Sequence, residues 1–221
     1  MNIREELFKN QDTEYADFHS RLVPTLPRER IIGVRIPVLR KIAKAAAKEN
    51  SETLDYYYEE IMIKGMKIGY EKCDIEKHLS DLKDFVPFID NWAVCDCCCS
   101  TYKFTEKNMT AVWNFIEPYL SGSEYEIRFA VVMMMDYFLT DDYIDAVLEK
   151  LASLNSNEYY VNMAVAWALS VAFVKFEEKV YKILEENQLP LWVHNKTIQK
   201  ICESNRVDKL TKEKLKQLKI K

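Results

Sequence analysis

A short sequence pattern occurs four times in the chain, each time inside a stretch of helical periodicity. The four copies are Asn91-Trp-Ala-Val-Cys-Asp96, Arg128-Phe-Ala-Val-Val-Met133, Asn162-Met-Ala-Val-Ala-Trp167 and Asn195-Lys-Thr-Ile-Gln-Lys200. Their first residues are 37, 34 and 33 residues apart, an interval typical of proteins built from repeated helix pairs. The tetratricopeptide pattern of small and aromatic residues is missing, which favours a HEAT-like repeat. The sequence therefore predicts an all-α, HEAT-like helical-repeat solenoid, an α-α superhelix with one concave groove.

Apolar residues at helical spacing predict two helices in each repeat. The first helices are expected at about residues 74–86, 107–120, 141–153 and 176–187, and the second at about 90–102, 124–138, 158–173 and 191–204. Thr105, Ser123 and Thr140 are predicted N-caps, and Ser51 or Thr53 is expected to begin an earlier helix. We expect a single repeat domain over residues 1–221. Its repeats are clearest over 74–205, and a basic helix or tail follows over 206–221.

An N-terminal helix is predicted after Asp12-Thr13. Its apolar side chains are Tyr15, Phe18, Leu22 and Val23, and Pro24 is expected to end it. The whole chain has only 4 Gly and 6 Pro, so it offers few turn residues for β-hairpins. This composition also favours helices.

Composition and charge favour a cytoplasmic protein. The N-terminal MNIREELFKNQ lacks the apolar run of a secretory signal, and no stretch of apolar residues is long enough to predict a membrane span. The 6 cysteines are therefore expected to be free thiols.

A formal net charge of −4 gives no general preference for nucleic acids, but residues 21–48 and 196–221 are rich in Lys and Arg. These segments either bind a polyanion or form solvated helix faces.

The alignment of the four copies brings polar and aromatic side chains to one face. Trp92 lies one helical turn before Asp96, so the two share a face of their helix. Arg128, the first residue of the second copy, flanks the same face. The side chains equivalent to Asp96 are Met133, Trp167 and Lys200. The second helices of a solenoid line one surface, so these side chains are expected to converge on one groove.

Each of these residues also has a purely structural interpretation. A tryptophan at helical spacing is commonly a core residue. Asp96 lies in the apolar run Trp-Ala-Val-Cys-Asp-Cys-Cys-Cys, where an ionised carboxylate needs a partner or a cleft. A salt bridge between Asp96 and Arg128 would satisfy both groups without any catalytic role.

The cysteine cluster does not predict a metal site. Cys95, Cys97, Cys98 and Cys99 lie too close together on one helix to surround a zinc ion, and no second ligand pair accompanies them. We expect them to be small buried apolar residues. No metal ion is therefore expected at this cluster.

With these motifs, the sequence resembles the AlkD-like DNA alkylation repair proteins, which are HEAT-like repeat DNA glycosylases. The matching stretches are Gly33-Val-Arg-Ile-Pro-Val-Leu-Arg40, Asn91-Trp92-x-x-x-Asp96, Ile127-Arg128 and Ala164-Val-Ala-Trp167. The similarity extends over about residues 10 to 205.

The resemblance implies both an activity and roles for individual residues. The family removes cationic N3- or N7-alkylated purines from duplex DNA by hydrolysing the N-glycosidic bond, without turning the base out into a pocket. By this resemblance Asp96 is the catalytic carboxylate, and Trp92 and Trp167 contact the deoxyribose of the lesion. Arg128, with Lys200 at the rim, binds the backbone phosphate. An early aromatic side chain, either Tyr15 or Phe18, is expected to help line the groove.

Two other functions remain open at this point. Ala93 stands where the family often has a polar residue, and some branches of the family bind DNA without excising bases. The alternatives are a non-catalytic HEAT-like protein that recognises DNA structure and a peptide-binding scaffold. The preferred partner is duplex DNA containing alkylated bases, with no membrane and no obligate protein partner.

Overall fold

Helix boundaries follow the capping residues of the sequence. The computed structural model describes residues 1–220, which contain thirteen α-helices, 71% helix and no strand. Asp12 and Asp74 cap their helices by accepting a hydrogen bond from a backbone N–H in the first turn. Ser123 and Glu126 form a capping box at the start of another. The predicted all-α class is confirmed, and the arrangement is consistent with a helical-repeat solenoid.

The chain divides into two compact units, and the first ends at Pro118. Unit 1 contains α1 (Ile3–Lys9), α2 (Thr13–Ser20), α3 (Ile36–Glu49), α4 (Tyr58–Tyr70), α5 (Ile75–Phe85), α6 (Trp92–Cys99) and α7 (Met109–Ile116). Helix α4 lies between α3 and α6, and α5 also packs against it.

Within unit 1, Gly65 of α4 lies directly against Phe85 and Cys98. A Cβ atom placed there would lie 2.2 Å from Cζ of Phe85 and 2.6 Å from Sγ of Cys98. The Cys98 thiol also reaches the carbonyl of Met62 at 3.5 Å. Only a residue without a side chain lets α4 and α6 approach this closely.

Unit 2 begins at Tyr119 and repeats the helix-pair arrangement. It contains α8 (Glu124–Tyr137), α9 (Ile144–Ser153), α10 (Tyr159–Lys175), α11 (Glu177–Glu185), α12 (Leu191–Glu203) and α13 (Lys209–Gln217). Helix α10 packs between α8 and α12, so three of the predicted second helices stack in order. The prediction of one repeat domain over residues 1–221 stays a prediction. Within residues 1–220, no helix has the length and apolar character that a membrane crossing requires.

Several predicted helix ends were wrong. Helix α2 ends at Ser20, and Leu22 and Val23 follow in a turn. Neither Ser51 nor Thr53 begins a helix, because α4 starts only at Tyr58, where Glu60 completes a capping box with Tyr57.

Two predicted N-caps lie outside the positions expected for them. Thr105 falls inside the 3₁₀ turn Lys103–Lys107, and Asn108 precedes α7. Thr140 opens a turn that leads to Tyr143, the residue before α9. The first helix of the chain, α1, was not predicted at all.

Candidate functional site

Helix α6 carries Trp92 and Asp96, two of the unit 1 residues that the sequence predicts to be functional. Asn91 is its N-cap, and its side-chain oxygen accepts a hydrogen bond from the backbone N–H of Val94 at 3.0 Å. The Asn91 amide also donates to Asp90, so a buried side chain fixes the start of the helix. Trp92 is then the first helical residue, and Asp96 lies one turn later on the same face.

The orientation of Trp92 is fixed by a single polar contact. Its indole N–H donates to the backbone carbonyl of Leu22 at 2.9 Å, across 70 residues of sequence. This bond uses the only polar group of the indole ring. A ligand could therefore interact with Trp92 only through its π system and ring edges. The side chain is half-buried, so part of the ring remains accessible.

Asp96 is half-buried, between residues whose side chains are largely buried. Its negative charge acts on the adjacent Cys97. Burial, with Asp96 as the second cause, raises the pKa of the Cys97 thiol to about 11. Cys95, Cys98 and Cys99 are buried free thiols, as expected for small apolar residues.

The two early aromatic candidates, Tyr15 and Phe18, differ in exposure, and their role in lining a groove stays a prediction. Burial raises the pKa of Tyr15, while the positive charge of Arg35 opposes this shift. The guanidinium of Arg35 lies over the Tyr15 ring, 4.7 Å from its centroid. Phe18 is 54% exposed, and its ring centroid lies 6.4 Å from that of Tyr15.

A buried carboxylate holds the segment that connects α2 to α3. Glu59, at the start of α4, accepts hydrogen bonds from the backbone N–H groups of Ile32, Gly33 and Val34 at 3.0, 2.6 and 3.2 Å. Gly33 has a φ of +97°, and a Cβ atom there would lie 2.1 Å from the carbonyl oxygen of Asp12. We call Glu59 and the three backbone N–H groups that donate to it the Glu59 cradle. This cradle fixes α2 relative to α4 and α6. It thereby positions Tyr15 and the carbonyl group to which Trp92 donates.

In unit 2, Arg128 is buried rather than exposed. Arg128 is only 5% exposed, and its Nη1 donates to the carbonyl oxygen of Tyr160 at 2.9 Å. The N–H of the same Tyr160 donates to Glu124 at 2.9 Å. Two side chains of α8 thus hold the first turn of α10. The phosphate-binding role of Arg128 stays a prediction.

Three further residues of unit 2 occupy the position equivalent to Asp96. Trp167 on α10 is half-buried, whereas Met133 on α8 is fully buried in the core. Lys200 on α12 forms an ion pair with Glu203 at 2.9 Å. A surface pair of this kind contributes about 0–1 kcal/mol and would not prevent Lys200 from binding a phosphate. The convergence of all the predicted residues on one groove stays a prediction.

The family of the protein is given by comparison with known sequences. A family model described as DNA alkylation repair enzyme matches residues 3–201. The chain belongs to this family. A search of curated proteins finds no match. Membership in the DNA alkylation repair enzyme family supports a role in DNA repair and indicates DNA as the partner.

The sequence analysis of this DNA alkylation repair family member missed an aromatic position. The residues three places before the four copies of the pattern are Phe88, Tyr125, Tyr159 and Trp192. Tyr159 and Trp192 are 57% and 41% exposed, and their rings meet edge to face at 5.8 Å. Lys196 lies over the Trp192 ring. The same alignment that selected Asp96 would have identified this series if it had been extended by one turn.

Proposed function

We propose that the protein is a DNA glycosylase that removes cationic N3- or N7-alkylated purines from duplex DNA. The observation that carries the proposal is the pairing of Trp92 and Asp96 on one face of α6. The carboxylate is only half-buried, and the indole has already used its polar group. This combination supplies one negative charge and one π surface, and it suits a ligand that becomes positively charged.

The reaction needs these two kinds of group. An alkylated purine already carries a positive charge and is therefore a good leaving group. As the N-glycosidic bond breaks, positive charge develops on the deoxyribose. A carboxylate at this place stabilises an oxocarbenium-like transition state and orients or deprotonates the attacking water. The face of an indole favours the same cationic character.

Each predicted residue has a role in this proposal. Asp96 is the catalytic residue, and Trp92 and Trp167 contact the deoxyribose. Arg128 and Lys200 bind backbone phosphate, for which the planar guanidinium of arginine is well suited. The reaction requires no metal or organic cofactor, and the duplex is the substrate.

The test is the release of free base from a duplex that contains one N7-methylguanine. The wild-type protein should release 7-methylguanine, detected by chromatography. Asp96→Asn removes the charge and keeps the shape, and it should slow release by about 100-fold or more. Asp84→Asn is the matched control, because Asp84 is an exposed carboxylate of α5 and should leave the rate unchanged.

Each other result rejects part of the proposal. Wild-type-like release by the Asp96→Asn variant would reject Asp96 as the catalytic group. Failure of the folded wild-type protein to release any base would reject the glycosylase. Salt-dependent duplex binding without release would then select the non-catalytic DNA-binding alternative.

A further inference from the structure

One face of α3 consists of cationic side chains. Arg40, Lys41, Lys44 and Lys48 fall within about 100° of the helix circumference, since each residue advances the helix by about 100°. Arg40 is half-buried, and the three lysines are exposed. The opposite face of α3 buries Leu39, Ile42, Ala43 and Ala46. The cationic face is therefore turned away from the core of unit 1.

These four cations differ from lysines such as Lys67, which forms an ion pair with Glu71 at 3.1 Å. Within residues 1–220, no carboxylate forms an ion pair with any of them. The nearest acid along the chain, Glu49, is bound to the N-terminal amine at 3.0 Å. Lys44 lies over the ring of Tyr70, 5.1 Å from its centroid, a contact that brings no negative charge to the face.

A helix face that is merely solvated normally carries charges of both signs. Helix α11 is an example, since it carries Glu177, Glu178 and Glu185 together with Lys179 and Lys182. In contrast, residues 30–48 contain no acid at all, although the protein as a whole has a net charge of −4. A cluster of this kind raises the energy of the isolated protein and is relieved by a bound polyanion.

Arg40 connects this face to the helix that carries Asp96. Its Nη2 donates to Oγ of Ser100 at 3.0 Å. Ser100 is the C-cap residue directly after α6 and lies one turn after Asp96. Its backbone N–H donates to the carbonyl oxygen of Asp96 at 3.3 Å. Arg40 therefore lies beside the Asp96 face of α6, and α3 extends away from that point.

We propose that the face formed by Arg40, Lys41, Lys44 and Lys48 binds the phosphate backbone of the DNA duplex next to the nucleotide on which Asp96 acts. The inference rests on the proposed function and deepens it by naming the surface of unit 1 that binds the substrate. Lys41 to Lys48 covers about 10 Å of helix. One DNA strand carries about three phosphates along that length. Three lysines therefore match three successive charges of one strand.

The experiment measures binding to an undamaged duplex, so it does not depend on base release. Fluorescence anisotropy gives the Kd of a labelled duplex over a series of salt concentrations, for the wild type and for the triple variant Lys41→Gln, Lys44→Gln, Lys48→Gln. Each lost phosphate contact should reduce the slope of log K against log salt by about 0.9, and the three together by about 2.7. Circular dichroism shows whether the exposed substitutions leave the fold intact.

The matched control changes the same net charge elsewhere in unit 1. Lys72, Lys83 and Lys107 are exposed lysines outside α3, and their replacement by Gln should leave the slope at its wild-type value. Equal slopes for the two triple variants would overturn the inference, as would a wild-type protein that does not bind undamaged duplex.

The two proposals fail in different ways. If the α3 lysines change the salt slope of DNA binding but the protein releases no base, the phosphate-binding proposal stands and the glycosylase proposal is rejected. Base release by a protein whose slope is insensitive to α3 would reject the face and keep the glycosylase.

Discussion

Replacement of Glu59 by Gln tests the cradle that holds α2 in place. The wild-type carboxylate accepts three backbone N–H groups: Oε1 accepts those of Gly33 and Val34, and Oε2 accepts that of Ile32. In Glu59→Gln the amide oxygen can keep the first two bonds. The amide nitrogen then faces the Ile32 N–H, donor against donor. Because Glu59 is fully buried, water cannot replace the lost acceptor, and the cost is about 1–3 kcal/mol.

The effect of Glu59→Gln should depend on pH. Burial raises the pKa of Glu59 in the folded protein, although the three N–H bonds oppose this shift. The folded state therefore keeps the proton at pH values where the unfolded chain, with a pKa of about 4.3, has lost it. The protonated Glu59 carboxyl therefore contributes to the free energy of unfolding of the wild type, and this contribution declines as the pH rises from the unfolded pKa through the folded pKa. Since Gln cannot titrate, the advantage of the wild type over the variant should shrink over the same range.

The measurement is urea unfolding followed by far-ultraviolet circular dichroism, at several pH values between about 4 and 8. Glu52→Gln is the control, because Glu52 is exposed in the neighbouring segment and its loss should change the free energy of unfolding by no more than about 0.5 kcal/mol. A Glu59→Gln variant as stable as this control would refute the cradle. An advantage that grows with pH would refute the direction of the pKa shift.

Two further outcomes are expected in unit 1. With a pKa of about 11, Cys97 should be about one part in a thousand thiolate near pH 8. Iodoacetamide should therefore label Cys73 before Cys97, because Cys73 is exposed, although burial raises its pKa as well. Asp96→Asn should speed Cys97 labelling, and peptide mass spectrometry that finds Cys97 labelled first in the wild type would contradict this. Gly65→Ala should destabilise the protein by about 1–3 kcal/mol in urea unfolding, because its Cβ would overlap Phe85 and Cys98. An unchanged unfolding midpoint would mean that α4 and α6 can separate freely.

The sequence predicted features that depend on local chemistry. Ser123 is the N-cap of α8, as predicted, and it forms a capping box with Glu126 three residues later. The second helices of unit 2 agree with their predicted ranges to within about two residues, which is the usual uncertainty of a helix end. Helical periodicity in these segments is strong enough to be read without tertiary contacts.

The second helix of the first clear repeat was predicted less accurately, for a local reason. Residues 90–102 were expected to be helical, but α6 begins only at Trp92 and ends at Cys99. Pro87 lies in the 3₁₀ turn Val86–Phe88, and the buried Asn91 caps the helix from outside. In the other three copies, the residue equivalent to Asn91 lies inside the helix. The alignment of the copies hid this difference because it compared residue types and not backbone geometry.

The features that position the candidate site are those that the sequence could not reveal. The three N–H donors to Glu59 are more than 20 residues away along the chain, and they are backbone groups with no sequence signature. The burial of Arg128 against Tyr160 is also a tertiary effect. Residue types could suggest which side chains carry the chemistry, while their partners depend on how the helices pack.

The anchor of Trp92 has a consequence for how this protein can vary. Its acceptor is the main-chain carbonyl of residue 22, so almost any amino acid at that position supplies the same oxygen. Point substitutions at Leu22 should therefore be tolerated far better than a change in the number of residues between α2 and α3. A single inserted residue would shift the carbonyl and let the ring turn, even if every side chain of the site were kept. Engineered or natural variants of this segment are best compared by its length first and by its composition second.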